Sequence, residues 1–516
     1  MKLIKKLTTI LFVFMMVLSA TTMVFAEGNP TEGTSTGTRG TIKIDNAIVN
    51  ETYKVYRVFD LESYDATNKR YAYKPNASWK TFLTGTEIKG VYVEFFDDTD
   101  LDGYVKWKDG ADVKEFAKKA LKYARENSIA ETANAQAATA TVTFSNLDLG
   151  YYLVDSGVGA LCTLNTTNPE VTIKEKNDRP TITKQVQEDS DSSWGDNNSA
   201  EIGETVKFKV EITAKPGAQN YVLYDKMDTG FTLTNKADGT PDIKVTEGSR
   251  ALGPTDYSVD TTAPAGEDWT FKITFTDTYL SGLRTTLGEN GGTSSEAKIT
   301  VEYSALLNEN AKTPGTTYTD KNHNNAWLKY GEDHQTNKVE THTVTFELPV
   351  FKYFKDTTGN HGLANAKFTL SKNVDGASPI ELIKVSGEDA TAGTELVYRL
   401  ATSKDTTGKE TVVTTPTSGK FKIVGLDYDT YYLTETEAPN GFNKLKKAVK
   451  IEMTAGGLGT FKIDDATTPA SKAEIENKTG TLLPSTGGVG TTMMYIVGAA
   501  LLIGSGVLLI TKKNAK

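Results

Sequence analysis

Sulfur cross-links are the first thing this sequence lacks, for its 516 residues hold one cysteine, Cys162. A single thiol excludes an intrachain disulfide, a cysteine-based zinc site and an iron–sulfur cluster. Histidine is nearly as scarce. Only His323, His334, His342 and His361 are present, with His334 and His342 the two that bunch, so a His-rich metal centre is not expected, nor any metal or cofactor. Basic charge is also in deficit, 57 Lys and Arg against 66 Asp and Glu, which argues against a nucleic-acid partner. No Ser-His-Asp or Cys-His arrangement is legible, and Cys162 reads as a buried side chain rather than a nucleophile.

What is present begins at the ends. Residues 1–26 run from a basic start through an uncharged stretch, Leu7 to Phe25, to Ala26 before Glu27. This is the pattern of a secretory signal peptide cut between Ala26 and Glu27. Met493 to Ile510 is free of charge and long enough to cross a bilayer as a tilted helix; Lys512, Lys513 and Lys516 follow and hold the tail on the cytoplasmic side. Just before the span lies Leu483-Pro484-Ser485-Thr486-Gly487, where the proline imposes an extended or bent backbone.

Pentapeptide, apolar span and basic tail in this order resemble the cell-wall sorting signal of Gram-positive surface proteins. The resemblance implies a membrane sortase that cuts between Thr486 and Gly487 and passes the threonine carbonyl to an amine. Both cuts would leave residues 27–486. The removed ends carry six lysines and no acid, so net charge falls from −9 to −15, and the body is strongly acidic and extracellular.

Residues 27–40 offer no apolar side chain to bury and read as a flexible leader. From Thr41 the dominant signal is period-two alternation of Val, Ile, Tyr, Phe and Thr between Gly and Asp/Asn turns, which predicts a mainly β chain of tandem immunoglobulin-like sandwiches. One helix stands out: Asp112 and Glu115 have capping-box spacing, and Val113, Phe116, Ala117, Ala120, Leu121 and Ala124 form an apolar stripe. Phe144 to Asp155 repeats, with one inserted residue, as Ile423 to Glu435, which implies related first and third domains around a different middle one. Boundaries are expected near Arg179-Pro180 and Leu348-Pro349, giving domains over 41–178, 179–347 and 348–478, then the sorting segment 479–516.

Strand parity places charged residues on apolar faces. Lys184 alternates with Ile182 and Val186, and Lys352 with Val350 and Phe354. Asn477 follows Ala473 and Ile475, Asn337 shares parity with Val339, Asp225 with Leu223 and Met227, and Glu435 with Tyr431 and Leu433. The middle and third domains therefore each offer an inward Lys, Asn and acid. Burial drives a lysine toward a neutral, nucleophilic amine and a carboxyl toward its protonated form. The expected chemistry is attack of the amine on the Asn carbonyl, assisted by the acid, with loss of ammonia and formation of a Lys–Asn isopeptide bond. The competing reading is three unrelated buried polar groups satisfied by hydrogen bonds.

Tyr431-Tyr-Leu433-Thr-Glu435-Thr436-Glu-Ala438-Pro439-Asn-Gly441-Phe442 resembles the E-box of sortase-assembled pilins, with Phe442 in place of the final Tyr. The resemblance implies a Cna-B-like domain in which Glu435 assists a bond between Lys352 and Asn477, with Lys355 the alternative lysine. Tyr221 to Gly230 is similar, more loosely, to the Asp strand of Cna-A-like domains, pairing Lys184 and Asn337 around Asp225. In the first domain Lys43 and Asp155 hold repeat-equivalent places, but Lys43 lies on the polar face and Glu175 replaces the asparagine, so no bond is expected there. Val171-Thr-Ile173-Lys174-Glu175-Lys176-Asn177 resembles the pilin motif, without its Tyr-Pro or upstream Trp. It implies an outward Lys176, or Lys174, as acceptor for Thr486 of a neighbouring subunit.

Asp98, Asp100, Asp102, Gly103 and Asp109 have calcium-loop spacing, yet a strand precedes them, so a hairpin turn is favoured. Together the resemblances imply a shaft-forming pilus subunit that contributes to adhesion, a substrate of sortase rather than an enzyme. Implied partners are a class C-type pilus sortase, a housekeeping sortase, identical subunits, minor tip or basal pilins, peptidoglycan and, transiently, the membrane. A wall-anchored monomeric adhesin of collagen-binding type is the alternative.

Overall fold

The alternating segments form strands throughout the chain in a computed structural model. It describes all residues except 1–31, 35–38, 66, 69, 98–102, 157–159, 162–169, 289–293, 314–319, 332–333, 387–394, 454–458, 481–488 and 514–516. The signal-peptide cut at Ala26 and Glu27, the pentapeptide Leu483 to Gly487, Cys162 and the core of the acidic loop all lie outside the described residues. The strands flanking that loop, Val93–Phe95 and Val105–Trp107, pair as an antiparallel hairpin. A strand, not a helix, thus enters it.

In the first domain the strand Arg39–Asp45 lies between Thr141–Asp148 and, in parallel, Glu170–Lys174. This small sheet packs on a larger one that contains Thr52–Asp65 and Gly150–Asp155. Ile42, Ile44, Tyr53, Val55, Phe144, Tyr152 and Val154 fill the space between them. The expected helix spans Val113–Glu126, and Asp112 caps it by accepting from the Lys114 and Glu115 amides at 3.0 and 3.1 Å. Its apolar stripe packs with Trp79, Phe82 and Leu83 in a second core. The leader is not wholly separate, because Glu32–Thr34 pair with Thr52–Asp65, and the next strand already begins at Arg39.

The middle domain is a sandwich of two seven-stranded sheets. One contains Thr181–Gln187, Thr205–Ala214 and Ala297–Leu307; the other contains Val222–Met227, Asn322–Tyr330 and Val339–Val344. A helix not expected from the sequence, Asp277–Thr286, is capped by Thr276 and buries Tyr279, Leu280 and Leu283. The third domain pairs Phe346–Asp356 with Lys420–Leu426 and, in parallel, with Ala473–Glu476; its second sheet contains Thr430–Glu437.

Pro349 does not interrupt its strand as expected. It faces Lys422 on one side, and the parallel partner on the other side begins only at Val350, so no ladder amide is lost. The crossing between the two sandwiches lies at Thr345, between the strands that end at Val344 and start at Phe346. The cores of these two domains form one contiguous buried cluster. At their junction the Ile202 amide donates to the Gly425 carbonyl at 2.9 Å. Gly425 adopts φ 82°, and a Cβ there would lie 2.5 Å from the Ile202 side chain. The chain closes with an apolar helix, Val489–Lys513, whose stretch Met493–Lys512 has a mean hydropathy of 2.3 and no surface buried against the rest of the protein.

Candidate functional site: two buried lysine, acid and asparagine clusters

Lys352 alternates inward on the first strand of the third domain and is fully buried, as are Glu435 and Asn477. Asn477 follows Ala473–Glu476, and its amide nitrogen donates to the Tyr353 carbonyl at 2.9 Å, which fixes it beside Lys352. The Lys352 ammonium nitrogen contacts Asn477 Oδ1. Glu435 Oε1 reaches across from the opposite sheet to Lys352 Nζ at 3.3 Å and accepts from Asn477 Nδ2 at 2.7 Å. One carboxylate oxygen thus touches both the nucleophilic nitrogen and the nitrogen that would leave. Glu435 Oε2 is held by the Leu445 amide at 2.7 Å. Burial, more than the opposing pull of Glu435, depresses the Lys352 pKa. Lys355, the alternative lysine, is exposed.

The middle domain assembles the same groups differently. Lys184 and Tyr303 project from one sheet, Asp225 and Asn324 from the other. Lys184 Nζ lies 2.5 Å from Asp225 Oδ2, and neither side chain has exposed surface. Lys184 Nζ also contacts the Tyr303 hydroxyl, which lies 2.5 Å from the same carboxylate oxygen and accepts from Asn324 Nδ2 at 3.0 Å. Burial lowers the Lys184 pKa and raises that of Asp225. Both shifts favour a neutral amine beside a protonated acid. Asp225 Oδ1 and Asn324 Oδ1 have no hydrogen-bond partner although both are buried.

The asparagine expected here is corrected by the structure. Asn337 is exposed in a segment between strands, where period-two parity does not apply. Asn324 replaces it in the cluster: it shares a face with Ala326 and Leu328 and lies across from Met227. Its neighbour on that face, Asn322, is fully engaged with Lys312 and Thr343. Sequence reasoning also missed Tyr303, whose parity with Val301 and Ala305 looks like that of any core aromatic.

In the first domain the register shifts the repeat by one residue. The Glu175 amide donates to the Asp45 carbonyl at 2.8 Å, just as Asn477 does to Tyr353, so Ile44, not Lys43, stands where Lys352 stands. Tyr152 donates to the Asp148 carbonyl four residues back, and Tyr431 accepts from the Asp427 amide four back. That match puts the fully buried Ser156 in the place of Glu435, and Asp155 turns away to Arg125 at 2.9 Å. The trio is therefore Ile44, Ser156 and Glu175, which contains no amine. Lys43 is half exposed and pairs with Asp45.

Glu175 has another task. Its buried carboxylate accepts from Tyr53 and from the Lys176 and Asn177 amides at 3.0, 3.0 and 2.8 Å, fixing the backbone of a segment in which Lys174 and Lys176 are exposed.

Residues 351–467 match the family described as SpaA, prealbumin-like fold domain, and residues 475–516 the LPXTG cell wall anchor motif. The third sandwich is thus a prealbumin-like domain. The chain as a whole is a β-sandwich protein attached to the cell wall through that anchor, its apolar helix holding it in the membrane beforehand.

No curated protein matches the chain. Among solved structures it is similar to the full-length major pilin SpaD from Corynebacterium diphtheriae, at 17% identity over 86% of this chain and 98% of that one, TM-score 0.46. It is also similar to the T6 backbone pilin of serotype M6 Streptococcus pyogenes, at 13%, 86%, 99% and 0.47. For the full-length RrgB pilus protein from Streptococcus pneumoniae the values are 13%, 88%, 100% and 0.45. At such TM-scores these are likenesses alone.

Proposed function

We propose that this protein is the shaft subunit of a covalent surface polymer, made self-cross-linked by its two buried clusters and joined to its neighbours by sortase. The observation that carries the first half is the Glu435 oxygen placed between Lys352 Nζ and the Asn477 amide nitrogen. The neutral amine attacks Asn477 Cγ. The bond from Cγ to Nδ2 breaks, a proton passes from Nζ through Glu435 to the departing nitrogen, and one ammonia leaves per Lys–Asn amide formed. Fixed packing supplies the effective concentration of the amine. In the middle domain Lys184 attacks Asn324, with Asp225 and the Tyr303 hydroxyl as the proton path. Each bond forms once in the life of the chain, so the protein is no turnover enzyme.

The second half rests on an acyl donor, Thr486, and an exposed acceptor amine, Lys176, carried by the same chain. Thr486, in the anchor segment, becomes the carbonyl held by sortase, and Lys176 offers an exposed amine on a backbone pinned by Glu175. Replacing Lys176 with Ala in the native host is expected to remove the high-mass ladder on denaturing gels. A ladder that persists in Lys176→Ala and disappears in Lys174→Ala would move the linkage two residues. One that persists in both would refute it.

A further inference from the structure

The outer face of the Asn324 strand carries a second constellation that the cross-linking chemistry does not use. His323 lies directly across from His342 in the antiparallel pairing of Asn322–Tyr330 with Val339–Val344, and Glu340 is two residues from His342 on that same face. The inward positions on these strands are taken by Asn322, Asn324, Thr341 and Thr343, all buried. His323, Glu340 and His342 are instead 24% to 38% exposed, open to solvent on one side. His323 Nδ1 is 2.7 Å from Glu340 Oε1 and 3.1 Å from His342 Nδ1. Two imidazole nitrogens this close share at most one proton between them. Two nitrogens bound tetrahedrally to one zinc-sized ion lie about 3.3 Å apart, given metal–nitrogen bonds of about 2.0–2.1 Å.

We propose that His323, Glu340 and His342 bind one divalent transition-metal ion of the zinc class, through two imidazole nitrogens and a carboxylate oxygen, with water in the open position. Imidazole donors select such ions over calcium or magnesium. Glu340 Oε1 also accepts from Asn325 Nδ2 at 3.2 Å, an outer partner that orients the carboxylate ligand. The ion would clip together two neighbouring strands on the face opposite the Lys184–Asn324 cluster. Among the described residues this trio is the only group containing more than one histidine close enough to share an ion. Four histidines scattered in sequence hid the site, because the pair that meets is not the pair that bunches.

The test uses the full chain in detergent, stripped with a chelator and titrated with zinc chloride by calorimetry, alongside the visible absorption of added cobalt(II). One saturable equivalent is expected, with four-coordinate cobalt bands. His323→Ala and His342→Ala should each weaken binding at least about tenfold, the scale on which even outer partners act. His361→Ala should leave it unchanged. Equal metal-free melting temperatures of variants and parent would show that the fold is intact. Absence of saturable zinc binding, or undiminished binding in the His323→Ala, His342→Ala double variant, would overturn the proposal.

Discussion

At Lys352 the amine has a carboxylate and an amide within reach and no water-accessible surface. Such an arrangement is costly as three isolated polar groups and reactive as one unit. Glu435→Gln should therefore block the third-domain bond while leaving the middle one, so that the protein retains the mass of one additional ammonia. In the middle domain Asn324→Ala should abolish the bond and Asn337→Ala should not; peptide mapping of the cross-linked fragments distinguishes them. Tyr303→Phe removes one step of the proton path and should slow the middle bond, read as a mixture of linked and unlinked chains in freshly made protein. Of the seven clustered residues, all but Asn324 and Tyr303 were legible from parity, because Lys184, Asp225, Lys352 and Glu435 sit in uninterrupted strands and Asn477 directly extends one. Parity failed at Asn337, where residues 336–338 have left the strand geometry on which it depends.

Among the elements, the junction of the middle and third domains depends on a glycine. Gly425 packs against Ile202 at a positive φ, so Gly425→Ala should destabilise the junction by about 1–3 kcal/mol, checked by thermal unfolding. Acidic groups also gather there. Glu204 is pushed up to about 8, first by burial and then by Asp427, and Asp427 to about 6, chiefly by burial. Glu188, Asp189 and Glu201 add negative charge, and Lys372, paired with Glu201 at 2.9 Å, opposes it. A carboxyl whose folded pKa is raised holds its proton in the native state after the unfolded chain has released it. Stability then falls as pH rises between the unfolded and folded values. The melting temperature should accordingly drop by roughly 5 °C between pH 5 and pH 8; a rise over that window would contradict the assignment. The strand alternation and the Asp112 helix were readable in the sequence. The one-residue offset of the first-domain repeat was not, since matching Tyr151-Tyr152 to Tyr431-Tyr432 takes one inserted residue, and only the sheet pairing shows that Tyr152, packed between the two sheets, is the counterpart of Tyr431.

For the whole molecule, the two bonds would close loops of 125 residues in the third domain and about 140 in the middle one, tying first strands to late ones. In the chain-entropy account each such closure contributes about 5 kcal/mol, and unlike a disulfide it survives reducing conditions. A chain with one cysteine would thereby gain covalent reinforcement where its domains are acidic and exposed outside the cell. The first domain has Ile44, Ser156 and Glu175 in place of a cross-link, and should be the first to unfold and to yield to protease. The most direct test of this account is the intact mass of the processed, folded protein secreted by its host. The account predicts a mass lower than that of the sequence by two ammonia molecules, restored by one on Lys184→Ala and by the other on Lys352→Ala after allowing for each substitution. A parent mass equal to that of its unmodified sequence would contradict it.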